Sequence, residues 1–123
     1  RKKFTEKEYL KDWGMANSDY YIYGIVDFEN RQVWMLEEKL SDSKTWIFIC
    51  TNNNESMTDK LYVKAEGESS FFINNEGLIE VADFINEKGK KAVKKIKSYQ
   101  ISKSGKFEFG KMTESEMTEV MDF

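Results

Sequence analysis

Apolar residues recur along this chain with two periods, and the change of period marks its elements. Tyr20–Phe28 is dense in Tyr, Ile and Val and reads as a strand. Glu29-Asn30-Arg31 makes a polar turn. Gln32–Leu40 alternates, with Val33 and Met35 on one face and Trp34 and Leu36 on the other. Thr45–Thr51 is apolar on both faces, which predicts a central strand. In Asp59–Glu66, Leu61, Val63 and Ala65 face one way and Tyr62 and Lys64 the other, the pattern of a half-buried antiparallel strand. The period then lengthens. Leu78, Val81, Ala82 and Ile85 follow an i, i+3, i+4, i+7 stripe, which predicts a helix over Leu78–Lys88 ended by Gly89.

The ends of the chain carry weaker signals. Thr5-Glu-Lys-Glu8 has the spacing of a capping box and opens a short helix to about Trp13, stopped by Gly14. Residues 67–77 read as irregular, with Phe71-Phe72-Ile73 inside. After Gly89, residues 90–103 are compatible with a longer helix or a strand, and the β-rich Ile96–Ile101 favours the strand. Ser102–Lys106 turns the chain into a last strand, Lys106–Gly110. The resulting order is β-β-β-β-α-β-β behind a small leading helix. It predicts an all-β protein and specifically an OB-fold, a five-stranded Greek-key barrel with a helix between its third and fourth strands. Closure of such a barrel hides the sheet edges.

Charge changes the picture more than composition does. Net charge is −3 over 123 residues, which argues against a uniformly basic nucleic-acid binder. The average conceals blocks. Residues 1–87 hold 10 basic and 17 acidic groups, whereas residues 88–111 hold nine lysines against Glu108 alone. Residues 112–123 then carry four acids and no base, ending on Asp122-Phe123. A block of like charge suggests an interaction segment. This division predicts one domain over residues 1–111 and an acidic tail over 112–123 that shields the basic segment until a polyanion displaces it.

Several chemistries are excluded. Histidine is absent, so neither a His-based triad nor a His-ligated zinc can form. The single cysteine, Cys50, lies in the apolar run Trp46–Cys50 and reads as a buried small hydrophobe. Neither a phosphate-binding nor a dinucleotide-binding glycine pattern occurs. No cofactor is expected. No apolar run approaches the length of a membrane span and no signal peptide is evident, so a cytoplasmic protein without membrane attachment is expected.

Three features together resemble the bacterial and phage single-stranded DNA-binding proteins. The segment Glu80–Gly89 is similar to the barrel helix of that family, which also ends on Gly before a basic strand. Lys44–Thr51, a polar loop and Asp59–Glu66 resemble its second and third strands. Met121-Asp122-Phe123 after an acidic stretch resembles its partner-recruiting tip. Against the family pattern, the tail is short and no Gly- or Pro-rich linker precedes it. The resemblance implies sequence-neutral binding of single-stranded DNA by a phage-encoded homodimer. It also implies recruitment of replication or recombination proteins through Glu116, Glu119, Asp122 and Phe123.

Single-strand binding needs rings to stack bases and cations to follow phosphates. Trp34, Trp46, Phe48, Tyr62 and Tyr99 are the candidate rings. Lys64, Lys90, Lys91, Lys94, Lys95, Lys97, Lys103 and Lys106 are the candidate cations. On a central strand a Trp or Phe is more often core, which weighs against Trp34, Trp46 and Phe48 as stacking platforms. Two alternatives stand beside this reading. Asp27, Glu37 and Lys39 spell the D-x9-E-x-K spacing of a Mg²⁺-dependent nuclease. The acids of residues 1–87 would suit a phage inhibitor that mimics DNA to bind a host enzyme.

Overall fold

The computed structural model describes residues 2–16 and 18–117. The described residues are almost entirely β. Strands β1 (Lys2–Phe4), β2 (Tyr20–Phe28), β3 (Arg31–Lys39), β4 (Lys44–Thr51) and β5 (Met57–Lys64) form one antiparallel sheet in chain order. Strands β6 (Glu68–Ile73), β7 (Leu78–Ile85), β8 (Val93–Ile101) and β9 (Phe107–Glu116) form a second. The crossover Ala65-Glu66-Gly67 links them. Gly67 has φ +127°, and a Cβ there would run into the carbonyl oxygen of Phe84, so the crossover requires glycine.

The main core lies between the sheets. Val33, Met35, Trp46, Phe48, Cys50 and Val63 of the first sheet meet Ile79, Val81 and Ile101 of the second. The opposite face of the first sheet is also covered. Helix α1 (Lys7–Asp12) and its flanks bring Phe4, Tyr9 and Trp13 onto Trp34, Leu36, Ile47 and Ile49. Coverage on both sides explains why β4 is apolar at successive positions and buried from Trp46 to Thr51. Burial, and next the nearby charge of Glu38, pushes the hydroxyl of Tyr20 up to about 12.

Four expectations are corrected. First, the described strands make two packed meanders and no closed barrel. Second, Leu78–Lys88 is not a helix between third and fourth strands: Leu78–Ile85 is strand β7. Its inner face is Ile79, Val81, Asp83 and Ile85, and the buried Asp83 breaks the alternation that would have marked a strand. The remaining apolar residues happen to fall on a helical stripe. Third, the acidic C-terminal segment does not begin a free tail at Met112. Strand β9 runs on to Glu116, pairing Glu114 with Lys95 and Glu116 with Val93. The leading helix exists, but Glu6 is its N-cap and no side chain caps it, so the Thr5–Glu8 box is not formed.

Candidate functional site

The register of the second sheet decides where the basic segment goes. Alternation along β8 sends Lys95, Lys97, Tyr99 and Ile101 to the inner face, opposite Asp83, Val81 and Ile79 on β7. Lys94 goes to the outer face, with its ammonium 5.6 Å from the Phe84 ring. Lys90 pairs with Glu87 at 3.0 Å and Lys91 with Glu116 at 3.4 Å, both at the β7–β8 end. Lys103 and Lys106 sit at the other end, roughly 30 Å away along a nine-residue strand. There Lys106 Nζ donates to the Thr58 carbonyl at 2.8 Å and the Lys103 carbonyl accepts from Arg31. The nine clustered lysines therefore do not make one patch.

Lys95, Lys97 and Tyr99 are brought together with residues that the sequence reading omitted. A bulge in β9 at Gly110 pairs Tyr99 with Phe109 and Lys97 with Met112. The Tyr99 and Phe109 rings meet edge to face, centroids 5.5 Å apart. Phe109 is 61% exposed and Met112 47%, the first the most exposed aromatic among the described residues. Every residue of β9 after Phe107 is exposed, so the first sheet does not cover this strand. Strands β5 and β9 are joined at their starts. Thr58 Oγ1 donates to the Gly105 carbonyl at 2.9 Å, and Asp59 Oδ2 accepts from the Phe107 amide at 2.9 Å. Beyond that closure β9 runs on uncovered, leaving one side of the sandwich open along Tyr99, Phe109 and Met112.

Electrostatics at this opening are partly self-cancelled. Glu66, from the crossover, lies 3.4 Å from Lys95 Nζ and 3.8 Å from Lys97 Nζ. Burial, and then the charge of Asp83, raises the Tyr99 hydroxyl above its ordinary value, so the ring stays neutral. Tyr62, 47% exposed, and Lys64 lie on the other face of β5. That is the α1 side of the first sheet, where Tyr62 is paired with Ile47, and β5 is the edge strand of that sheet.

The other proposed rings are structural. Trp34, Trp46 and Phe48 are 7%, 3% and 1% exposed. Trp34 is boxed by Phe4, Tyr9 and Trp13, and Phe48 sits between the sheets. None can stack on a base in this conformation. The nuclease constellation is not assembled. Asp27 is exposed beside Gln32, and Glu37 is buried five residues further along β3, roughly 17 Å away and on the opposite face. No cluster of three or more metal-ligating side chains occurs among the described residues. Among the tail residues, Glu116 belongs to β9, and Glu119, Asp122 and Phe123 lie outside the described residues. No described helix is long and apolar enough to cross a membrane.

Comparison with known protein families, with curated proteins and with solved structures gave no match. The resemblance to single-stranded DNA-binding proteins thus rests on the quoted residues alone.

Proposed function

We propose that this protein binds single-stranded nucleic acid, DNA in the first instance, along the open side of its β-sandwich. The observation that carries the reading is the row Lys95-Lys97-Tyr99 on one face of β8, continued by the exposed Phe109 and Met112 on β9. Rings that present a free edge or face can stack unpaired bases, and lysines beside them can follow the phosphates. A closed OB barrel is not required for this chemistry; an uncovered sheet edge offers the same combination. Tyr62 and Lys64 extend the path around the β5 edge. Under this reading Glu119, Asp122 and Phe123 remain the proposed hook for replication or recombination proteins, and Glu116 serves the strand instead.

The test is fluorescence anisotropy with labelled oligo-dT and a duplex of equal length. Single-strand binding that weakens linearly with log salt and exceeds duplex binding supports the proposal. Equal affinity for both forms, or no binding at low salt, refutes it.

A further inference from the structure

A second constellation lies at the crossover end of the sandwich, away from β9. Tyr23, Trp46 and Phe71 pack as three mutually steep rings. Their centroids are 5.3, 5.7 and 5.0 Å apart and their planes cross at 66°, 89° and 69°. The Trp46 indole is fixed in rotation, because Nε1 donates to Ser69 Oγ at 2.7 Å. Beside the rings, Glu37 is 1% exposed and its Oε2 accepts from the Tyr23 hydroxyl at 2.9 Å. The ammonium of Lys44 completes the group. It lies 4.5 Å from the Trp46 ring centroid and 3.8 Å from Glu37 Oε2.

An ammonium over an indole face, with a carboxylate alongside, is the geometry that recognises alkylammonium ions. Here the chain supplies its own. Lys44 is the removable part: its side chain is 33% exposed, whereas that of Glu37 is 2% exposed. It also lines both clefts that flank the crossover, one with Gly67, Ser69 and Phe84, the other with Glu37, Leu40 and Gly67. Tyr23 is 41% exposed, so one wall already faces solvent.

A separate observation points to a cation. Asp83 is the cross-strand neighbour of Ser69, fully buried, and neither of its carboxylate oxygens has a hydrogen-bond partner among the described residues. Its other cross-strand neighbour, Lys95, directs its ammonium to Glu66. Asp83 is thus one cross-strand pair away from the Ser69 that holds the Trp46 indole, and it is the carboxylate without a partner, whereas Glu37 is held by Tyr23 and Lys44. A buried carboxylate without a partner is unfavourable, and positive charge nearby relieves it.

We propose that Tyr23, Trp46, Phe71 and Glu37 form a binding site for an alkylammonium group, with Lys44 as a displaceable internal occupant. The site shares none of its lining residues with the open side of the sandwich and stands whether or not nucleic acid binds there. Two sources share this chemistry, a free quaternary amine and a methylated lysine side chain of a partner.

The experiment follows the Trp46 indole N–H signal by NMR. Trp13 and Trp34 lie on the other face of the first sheet and serve as internal controls. The protein is titrated with tetramethylammonium chloride and with a short peptide bearing one trimethyl-lysine, against sodium chloride at equal ionic strength. The proposal expects a saturating shift of Trp46 alone that sodium does not produce. Lys44→Met should tighten binding at least tenfold by removing the competing ammonium, and Glu37→Gln should weaken it by about the same factor. If Lys44→Met does not fold, Lys44→Gln gives the same comparison. Tighter binding of the peptide identifies a protein side chain as the source, and equal binding a free amine. An identical response to sodium, or no tightening when Lys44 is replaced, overturns the proposal.

Discussion

At the scale of single residues, rings of the same chemical type have separated into two roles by burial alone. Trp34, Trp46 and Phe48 are core, whereas Phe109 is the most exposed of several rings left outside among the described residues. The sequence offered little to tell them apart. Phe109 stands two residues after Phe107 in a Gly- and Lys-rich hairpin, where a core strand end is an equally good reading. The distinction came from β9 overhanging the first sheet, which is a property of the tertiary arrangement. It has a measurable consequence. Phe109→Ala should weaken oligo-dT binding by about 1–3 kcal/mol, the usual contribution of one stacked base, and leave the melting temperature nearly unchanged. Trp46→Ala should do the reverse. Removing a buried ring of that size costs about 3–5 kcal/mol of stability, while DNA affinity of the folded fraction should persist. Calorimetric melting and anisotropy on the two variants check both halves.

Elements were legible where local pattern and tertiary environment agreed. Strands β2 to β5 could be read within two residues of their bounds, because alternation or continuous apolarity follows directly from burial on one face or two. The second sheet was harder to read for a physical reason: its inner face is not uniformly apolar. Asp83, Lys95 and Lys97 occupy inward positions, so β7 imitated a helix, and the start of β8 read as compatible with helix or strand although Ile96–Ile101 favoured the strand that forms. β6 was missed because Ser69 and Ser70 precede its rings. Asp83 is therefore the residue that both misled the pattern and departs most from ordinary packing. Asp83→Val restores the alternation and removes a buried carboxylate without a partner. It should raise stability by about 1–3 kcal/mol, read as a shifted denaturant midpoint with an unchanged slope. A variant less stable than the parent would show that Asp83 holds an interaction the fold depends on.

For the whole molecule, the two sheets are linked by a crossover that also sets the charge of the opening. Glu66 sits in that crossover and holds the ammonium groups of Lys95 and Lys97. In the proposed mode of binding, the segment that joins the sheets would compete with phosphate for the two inward lysines. The sequence showed the basic block and an acidic competitor, but it placed the competitor in the C-terminal acids, since an ion pair spanning 29 or more residues has no local signature. Glu66→Gln should tighten single-strand binding and steepen its salt dependence. Freeing two lysines adds roughly 0.7 to the magnitude of the log–log slope for each additional phosphate contacted. An unchanged slope would mean that Lys95 and Lys97 do not touch the backbone of the nucleic acid.

The most direct measurement is a map of where a single strand touches the folded protein. Uniformly ¹⁵N-labelled protein is titrated with oligo-dT and the amide shifts are followed by residue. The account predicts perturbations that saturate together along the open side, at Lys95, Lys97, Tyr99, Phe109 and Met112, and extend around the β5 edge to Tyr62 and Lys64. Perturbations confined to the outer face of the second sheet around Phe72 and Lys94, or to the loops around Arg31 and Asn53, would contradict it, as would a spectrum that oligo-dT leaves unchanged.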